Sequence, residues 1–254
     1  MSDEVLVDVA DGIMTVTLTR PEAKNAANKA LAEGVAAAMD ELDSNDDIRV
    51  AILTGAGGTF CSGMDLKAFV SGETPTVEGR GFGGLTEKPP AKPLIAAVEG
   101  YALAGGLELM ISCDLIVAAD TAKFGIPEVK RGLAAAAGGL VRLPRQVPPR
   151  LAMELALTGD FVSAGRAAEM GLINRVVPDG TALDAAKELA ATICANGPLA
   201  VKVSKQVMAE SADWSSDEMW EKQQALVMPV FTSEDAIEGA TAFAEKRAPN
   251  WKGK

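Results

Sequence analysis

Three short apolar runs constrain the fold more than any other feature of this 254-residue chain: VAILTGAGG (50–58), PLIAAVEGYALAGG (93–106) and DLIVAAD (114–120). Apolar runs of this length bounded by glycine or charge read as buried strands. The first two pass directly into glycine-bearing turns. Upstream, Met14, Val16 and Leu18 alternate with threonines, the period of a strand ending at the turn Arg20-Pro21. Between them, Leu31, Val35, Ala38, Met39 and Leu42 recur at helical spacing from Asn28 to the polar SNDD (44–47). Alternating strand and helix signals predict an α/β fold. After the third run the chain reads as mostly helical. Ser163 is a candidate N-cap, Gly171 a helix stop, and Gly197-Pro198 ends another helical stretch. A hydrophobic content of 48% supplies one large core, and the chain reads as one main domain, 1–195, with a helical appendage, 196–254. The long Gly/Pro-rich segment 71–93 is either functional or mobile.

Charge and composition exclude several classes of function. A net charge of −11 opposes nonspecific binding of nucleic acid and of acidic membrane surfaces, so any anionic ligand must be held by local cations. The first residues, MSDEVLVDVADG, lack a basic and apolar leader pattern, and no later stretch approaches the roughly 18 uninterrupted apolar residues of a membrane span. A cytoplasmic protein is expected. Three scattered cysteines, Cys61, Cys113 and Cys194, offer neither a disulfide framework nor a CxxC metal motif, and read as small core residues. There is no histidine, which removes Ser-His-Asp and Cys-His nucleophiles and imidazole zinc sites; no metal is expected. Acid–base work then falls on Glu, Asp, Lys or the single Tyr101.

Within that restricted set, Glu108 stands out, because it sits one turn into the glycine and apolar residues of LAGGLELMISCD (103–114). An ionised carboxylate among apolar groups is costly unless it is paired, hydrogen-bonded or protonated. The preceding glycine pair lets the backbone approach a ligand closely and leaves N–H groups free at a helix start. The turns TFCSGMD (59–65) and ALAGGLE (102–108) can each give one N–H to the same oxygen. Taken alone, each reads first as an ordinary strand-to-helix turn, since glycine-rich turns are common, with Glu108 favourable in the first turn of its helix. A second carboxylate tips the balance: Glu128, in KFGIPEVKRG, follows the DLIVAAD strand. Alone it reads as a solvated turn residue near Lys130 and Arg131. Together the features offer a base and an acid beside an oxyanion hole, which suits a reaction through an enolate.

The ordered set LTRPEAKNA (18–26), GTFCSGMDLK (58–67), KPLIAAVEGYALAGGLELMISCDLIVA (92–118), FGIPE (124–128) and TAFAEKRAPNWKG (241–253) resembles the crotonase, or enoyl-CoA hydratase/isomerase, superfamily over essentially the whole chain. The resemblance implies a crotonase-like spiral of ββα units, a C-terminal helical trimerisation region, and homotrimers that often pair into hexamers. It also implies an acyl-CoA thioester substrate with no separate cofactor, coenzyme A being part of the substrate. By the same resemblance, the N–H groups of Met64 and Gly105 form the oxyanion hole. Glu108 orients and deprotonates water, and Glu128 supplies a proton to the α-carbon. Lys24, Lys67, Phe243 and Lys246 are the coenzyme A-binding positions, the last two reaching a neighbouring subunit's ligand. Hydration of 2-enoyl-CoA to 3-hydroxyacyl-CoA, as in β-oxidation of fatty acids, is the reaction this pattern implies.

Two departures bear on that reading. Where many hydratases read PGAGG, this chain has AAAGG (135–139), which puts the backbone that helps position water in question. Met64 replaces a smaller residue and either narrows the acyl pocket or only fills core space. The alternatives are an enoyl-CoA isomerase or a carnitinyl-CoA-type dehydratase of the same fold, and a noncatalytic acyl-CoA-binding subunit. The last has no need of two carboxylates.

Overall fold

A computed structural model describes residues 3–254. The chain opens with an antiparallel hairpin, β1 (Val5–Ala10) and β2 (Ile13–Leu18), turned at Asp11 and Gly12. Both turn residues have positive φ, 54° and 77°, the requirement of a type I′ turn. Helix α1 (Lys29–Ser44) follows, its N-terminus capped by Asn28, which accepts a hydrogen bond from Leu31 N–H at 3.0 Å. Leu31, Val35, Met39 and Leu42 fall on one buried face, as their spacing predicts. Strand β3 (Val50–Gly55) returns parallel to β2, and the short helix α2 (Leu66–Val70) follows the first glycine turn.

The segment 71–93 contains a small hairpin, β4 (Thr76–Val77) and β5 (Gly81–Phe82), and is packed in place. Arg80 is buried, ion-pairs with Asp40 of α1 and donates to the Lys88 carbonyl. Gly84 presses on the α1 backbone at Ala32 and Ala36, where a methyl group would collide. Of its two sequence readings, a mobile loop is the one these contacts oppose.

Next come β6 (Leu94–Val98), β7 (Tyr101–Leu103) and α3 (Gly105–Met110), then β8 (Leu115–Ala119) and β9 (Lys123–Gly125). A 3-10 turn spans Pro127–Arg131, and helices α4 (Gly139–Gln146) and α5 (Pro149–Thr158) follow it. The short β10 (Val162–Ser163) leads into α6 (Ala164–Glu169), capped by Ser163 as expected, and β11 (Arg175–Val177) precedes α7 (Ala182–Cys194). The first strand of each unit joins a six-stranded sheet in the order β1-β2-β3-β6-β8-β11, parallel from β2 onward. β7 and β9, which follow β6 and β8, join β10 in a smaller sheet, β10-β9-β7. This is the expected spiral of ββα units: the pairs β6/β7 and β8/β9 each serve two sheets, and the Cys61 segment is bridged to the Ala102 segment.

Helices α8 (Pro198–Glu210), α9 (Met219–Phe231) and α10 (Glu234–Glu245) complete the chain. Neither α8 nor α9 has a buried residue, in contrast to α1 and α3. Polar contacts tie this region to the core, among them Lys205 to Asp114 at 2.6 Å and Trp251 Nε1–H to the Ala195 carbonyl at 2.9 Å.

Candidate active site

The two glycine turns lie side by side. Cys61 bridges Ala102 in a parallel pairing, with Cys61 N–H donating to the Tyr101 carbonyl and Leu103 N–H to the Cys61 carbonyl. A methyl group on Gly63 would sit 2.9 Å from the Ala104 Cβ and 3.3 Å from the Gly105 nitrogen. One on Gly106 would collide with the Cys61 carbonyl. The contact between the turns is therefore open to glycine alone.

Met64 and Gly105 both lie at this junction. Ala27 brackets Met64: its N–H donates to the Gly63 carbonyl and its carbonyl accepts from Asp65 N–H, which leaves Met64 N–H outside the ladder. Gly105 is the first residue of α3, where N–H groups have no intrahelical acceptor. Neither N–H has an acceptor among the described residues. The residue before Gly105 is strained: Ala104 holds φ 52° and ψ −127°, a region that a Cβ disfavours. Ala104 N–H is fixed to the Gly125 carbonyl at 2.9 Å, and the ring of Phe82 lies over Gly105 where a side chain would otherwise go.

Both predicted carboxylates stand on elements that leave this junction. Glu108 is 3% exposed, one turn into α3. Its Oε1 accepts from Ala137 N–H and Gly139 N–H, both at 2.8 Å, so the AAAGG segment keeps two donors on the carboxylate despite lacking the PGAGG sequence. Burial pushes the Glu108 carboxyl above the ordinary carboxylate range, opposed by those two N–H groups and by the Arg142 charge. Glu128 is placed by register: β7 pairs with β9, Leu103 opposite Gly125, so the turn that follows β9 emerges beside the start of α3. It is not the solvated surface group that its local sequence describes, since its Oε2 is buried without a hydrogen-bond partner. Burial also raises its pKa, and the Glu108 charge adds to the shift. Both carboxyls are thereby easier to protonate than a solvated glutamate, which suits groups that exchange a proton with a substrate.

The other predicted residues are more dispersed. Lys24 stays near the first turn: its carbonyl accepts from Ser62 N–H, and its ammonium lies 5.1 Å from the centre of the Tyr101 ring. Lys67 is exposed on α2, three residues after Met64. Phe243 is 88% exposed near the end of α10, and Lys246 caps that helix in the left-handed conformation. No described hydrogen bond or ion pair ties Phe243 or Lys246 to the glycine turns or the glutamates of the same chain. Cys61 and Cys113 are buried core thiols as expected, whereas Cys194 is half-buried. A groove of about 820 Å³ beside the β1–β2 turn and α7 contains none of the predicted residues.

Three contributors escape the sequence reading. Phe82 reaches Gly105 from a distant segment, and no local pattern marks it. Arg20 donates to the Ala26 carbonyl and pairs with Asp65 at 2.9 Å, holding both neighbours of the Met64 bridge. Asp65 in turn caps α2, accepting from Lys67 N–H and Ala68 N–H. Arg142 has a local signal, a cation in the first turns of a helix beginning at Gly139, where the helix dipole disfavours it.

The sequence model of the family described as "Enoyl-CoA hydratase/isomerase" matches residues 8–254. The chain is 45% identical to "Enoyl-CoA hydratase EchA19" of Mycobacterium tuberculosis, over 99% of this chain and 97% of that protein. It is 38% identical to "Carnitinyl-CoA dehydratase" of Proteus mirabilis over the full length of both. Its structure is similar to the crystal structure of enoyl-CoA hydratase EchA1 from Mycobacterium marinum, with a TM-score of 0.97, 58% identity and 99% of each chain covered.

Proposed function

The chain belongs to the enoyl-CoA hydratase/isomerase family, and from that membership we propose that it hydrates 2-enoyl-CoA thioesters to 3-hydroxyacyl-CoA. One observation carries the choice of hydration: the buried Glu108 and the half-buried Glu128, whose Oε2 is shielded from solvent, stand on elements that meet at two unengaged backbone N–H groups. The thioester oxygen accepts from Met64 N–H and Gly105 N–H, which stabilise the negative charge as it develops there. Water is oriented by the free oxygen of Glu108 and adds to the β-carbon as Glu108 takes its proton. Glu128, protonated at the start, delivers its proton to the α-carbon of the enolate. The cycle leaves the proton on Glu108, and its return to Glu128 resets the pair.

The same geometry run in reverse removes water from a 3-hydroxyacyl thioester, so a carnitinyl-CoA-type dehydratase remains the second reading, favoured by the full-length likeness to the Proteus mirabilis protein. A noncatalytic acyl-CoA-binding subunit has no use for two desolvated carboxyls, each of which costs free energy when ionised.

We also infer a homotrimer or hexamer. Helices α8 and α9 have no fully buried residue, and Trp220, Phe231 and Phe243 stand exposed on the C-terminal region, a display that a partner subunit would cover. Phe243 and Lys246 then meet the adenine end of a neighbour's ligand, with Lys24 and Lys67 on the 3′-phospho-ADP group, local cations set against a net charge of −11. The test is a panel of 2-enoyl-, 3-enoyl- and 3-hydroxyacyl-CoA thioesters assayed by absorbance of the conjugated double bond, with mass measurement in solution. Loss of absorbance with 2-enoyl substrates supports hydration. Paired Phe243→Ala and Lys246→Ala changes should raise KM with little effect on kcat, and a fully active monomer would refute the assembly.

A further inference from the structure

Arg142 occupies an unfavourable place unless something compensates for it. It lies in an eight-residue helix, Gly139–Gln146, close to the positive end of the dipole, and is half-buried. Its side chain turns back over Gly138, where φ is 106° and a methyl group would collide with the guanidinium. Gly138 lies between Ala137 and Gly139, the two residues whose N–H groups hold Glu108 Oε1. The far side of the guanidinium donates to the Thr86 carbonyl. Thr86 is 1% exposed and its hydroxyl has no partner, so this residue is fixed by the packing of its segment and not by its own side chain. That segment also carries Phe82, which lies over Gly105, and is anchored to α1 through Arg80 and Asp40. One rigid segment thus touches the oxyanion half of the site through Phe82 and the carboxylate half through Arg142.

Resting on the hydratase reading above, we propose that Arg142 is a positioning residue for the reaction: it suspends the Ala137–Gly139 turn from the Thr86 carbonyl and so fixes Glu108 against the water it activates. Its charge also favours the ionised form of Glu108 that a base requires. The charged neighbours of Glu108 are few. Arg142 acts from α4, and Glu128 acts from the turn after β9 with Arg131 beside it. Tyr101 of β7 is covered by Lys24, Cys61 lies under Gly106, Arg80 of the 71–93 segment is committed to Asp40, and α3 carries no other titratable side chain.

The test compares Arg142→Gln and Arg142→Lys with the wild type. Arg142→Gln should lose kcat by roughly 10- to 100-fold, part of the 10²–10⁴ that a positioned acid–base group typically contributes, with KM nearly unchanged. The acid limb of kcat, where Glu108 takes up a proton, should move to higher pH. Arg142→Lys keeps a charge and loses the fork, so it should return the limb towards its wild-type position without restoring full kcat. A second readout is independent of turnover: the labelled glutamate ¹³C-carboxyl resonance that disappears in Glu108→Gln should titrate at higher pH in Arg142→Gln than in wild type. If that resonance and the limb both stay in place, the proposal is overturned. If the wild type hydrates no 2-enoyl-CoA while the resonance still shifts, the hydratase reading fails, and what stands is that Arg142 holds and polarises Glu108. If Arg142→Gln does not fold, Arg142→Lys decides, and wild-type kcat in that variant overturns the proposal.

Discussion

The two halves of the site are held by different physics. In the oxyanion half, Cys61–Met64 against Leu103–Gly106, every group offered to a ligand is backbone, and position is set by contact: Gly63, Gly105 and Gly106 have no room for a methyl group without displacing Ala104, Phe82 or the Cys61 carbonyl. In the acid–base half the working groups are side chains, and position is set by hydrogen bonds and charge: Ala137 and Gly139 hold Glu108, while Arg142 acts on it from α4. The first half is intolerant of size and the second of a change in charge. One reaction needs both, because the enolate oxygen wants fixed dipoles while the carbon centres need groups that change protonation.

That contrast is sharpest at Glu128, where a neutral side chain of the same shape should leave the backbone half intact. Glu128→Gln is expected to lose both hydration and any 3-enoyl to 2-enoyl isomerisation by roughly 10²–10⁴-fold, since both need a proton at the α-carbon. Thioester binding, measured by calorimetry, should persist; substantial isomerisation in this variant would separate Glu128 from α-carbon chemistry.

A slightly smaller loss is expected from the other half. Proline is tolerated at the first position of a helix, so Gly105→Pro removes the donor, but its ring needs the space of Phe82. The informative comparison is therefore Gly105→Pro in a Phe82→Ala background against Phe82→Ala alone. Loss of one such donor typically costs about 2.7–4 kcal/mol of transition-state stabilisation. The loss should be the same at every pH, unlike those of the carboxyl variants. A folded double variant that turns over like its parent would break the contrast.

The smallest effect is on stability. The raised pKa of Glu108 means that its contribution to stability is fully present below the ordinary glutamate range, about pH 4.3, and is lost as pH rises through the raised native value. Glu108→Gln removes that loss and keeps an oxygen for the Ala137 and Gly139 N–H groups. Its melting temperature should exceed wild type at neutral pH by a few degrees, about 2–4 °C for each kcal/mol in a chain of this size, and the difference should vanish in acid. A lower melting temperature at neutral pH would mean that the carboxylate stabilises the fold.

Much of this was legible in the sequence, for reasons that differ between elements. The apolar runs at 50–58, 93–106 and 114–120 are strands because they are buried on both faces of a parallel sheet, a pattern visible locally. Ser163 caps its helix as read, and Asn28, where the helical spacing begins, caps α1. By contrast, β1 buries only the first of its six residues, so its alternation has little hydrophobic amplitude, and β10 and β11 are too short to show any. At the site, Glu108 and Glu128 are conspicuous as charges beside glycine turns. Phe82, Arg20 and Thr86 matter only through contacts across the fold, and the AAAGG segment still holds Glu108 because backbone N–H groups, not side chains, make the contact.

The central claim is that Glu108 is the base that delivers water, and isotopic oxygen tests it most directly. Wild-type protein given a 2-enoyl-CoA in ¹⁸O-labelled water should place the label in 3-hydroxyacyl-CoA, and Glu108→Gln, folded and still binding the thioester, should lose nearly all of that incorporation. Undiminished incorporation in Glu108→Gln would contradict the claim and leave the buried carboxylate as a structural group at the start of its helix.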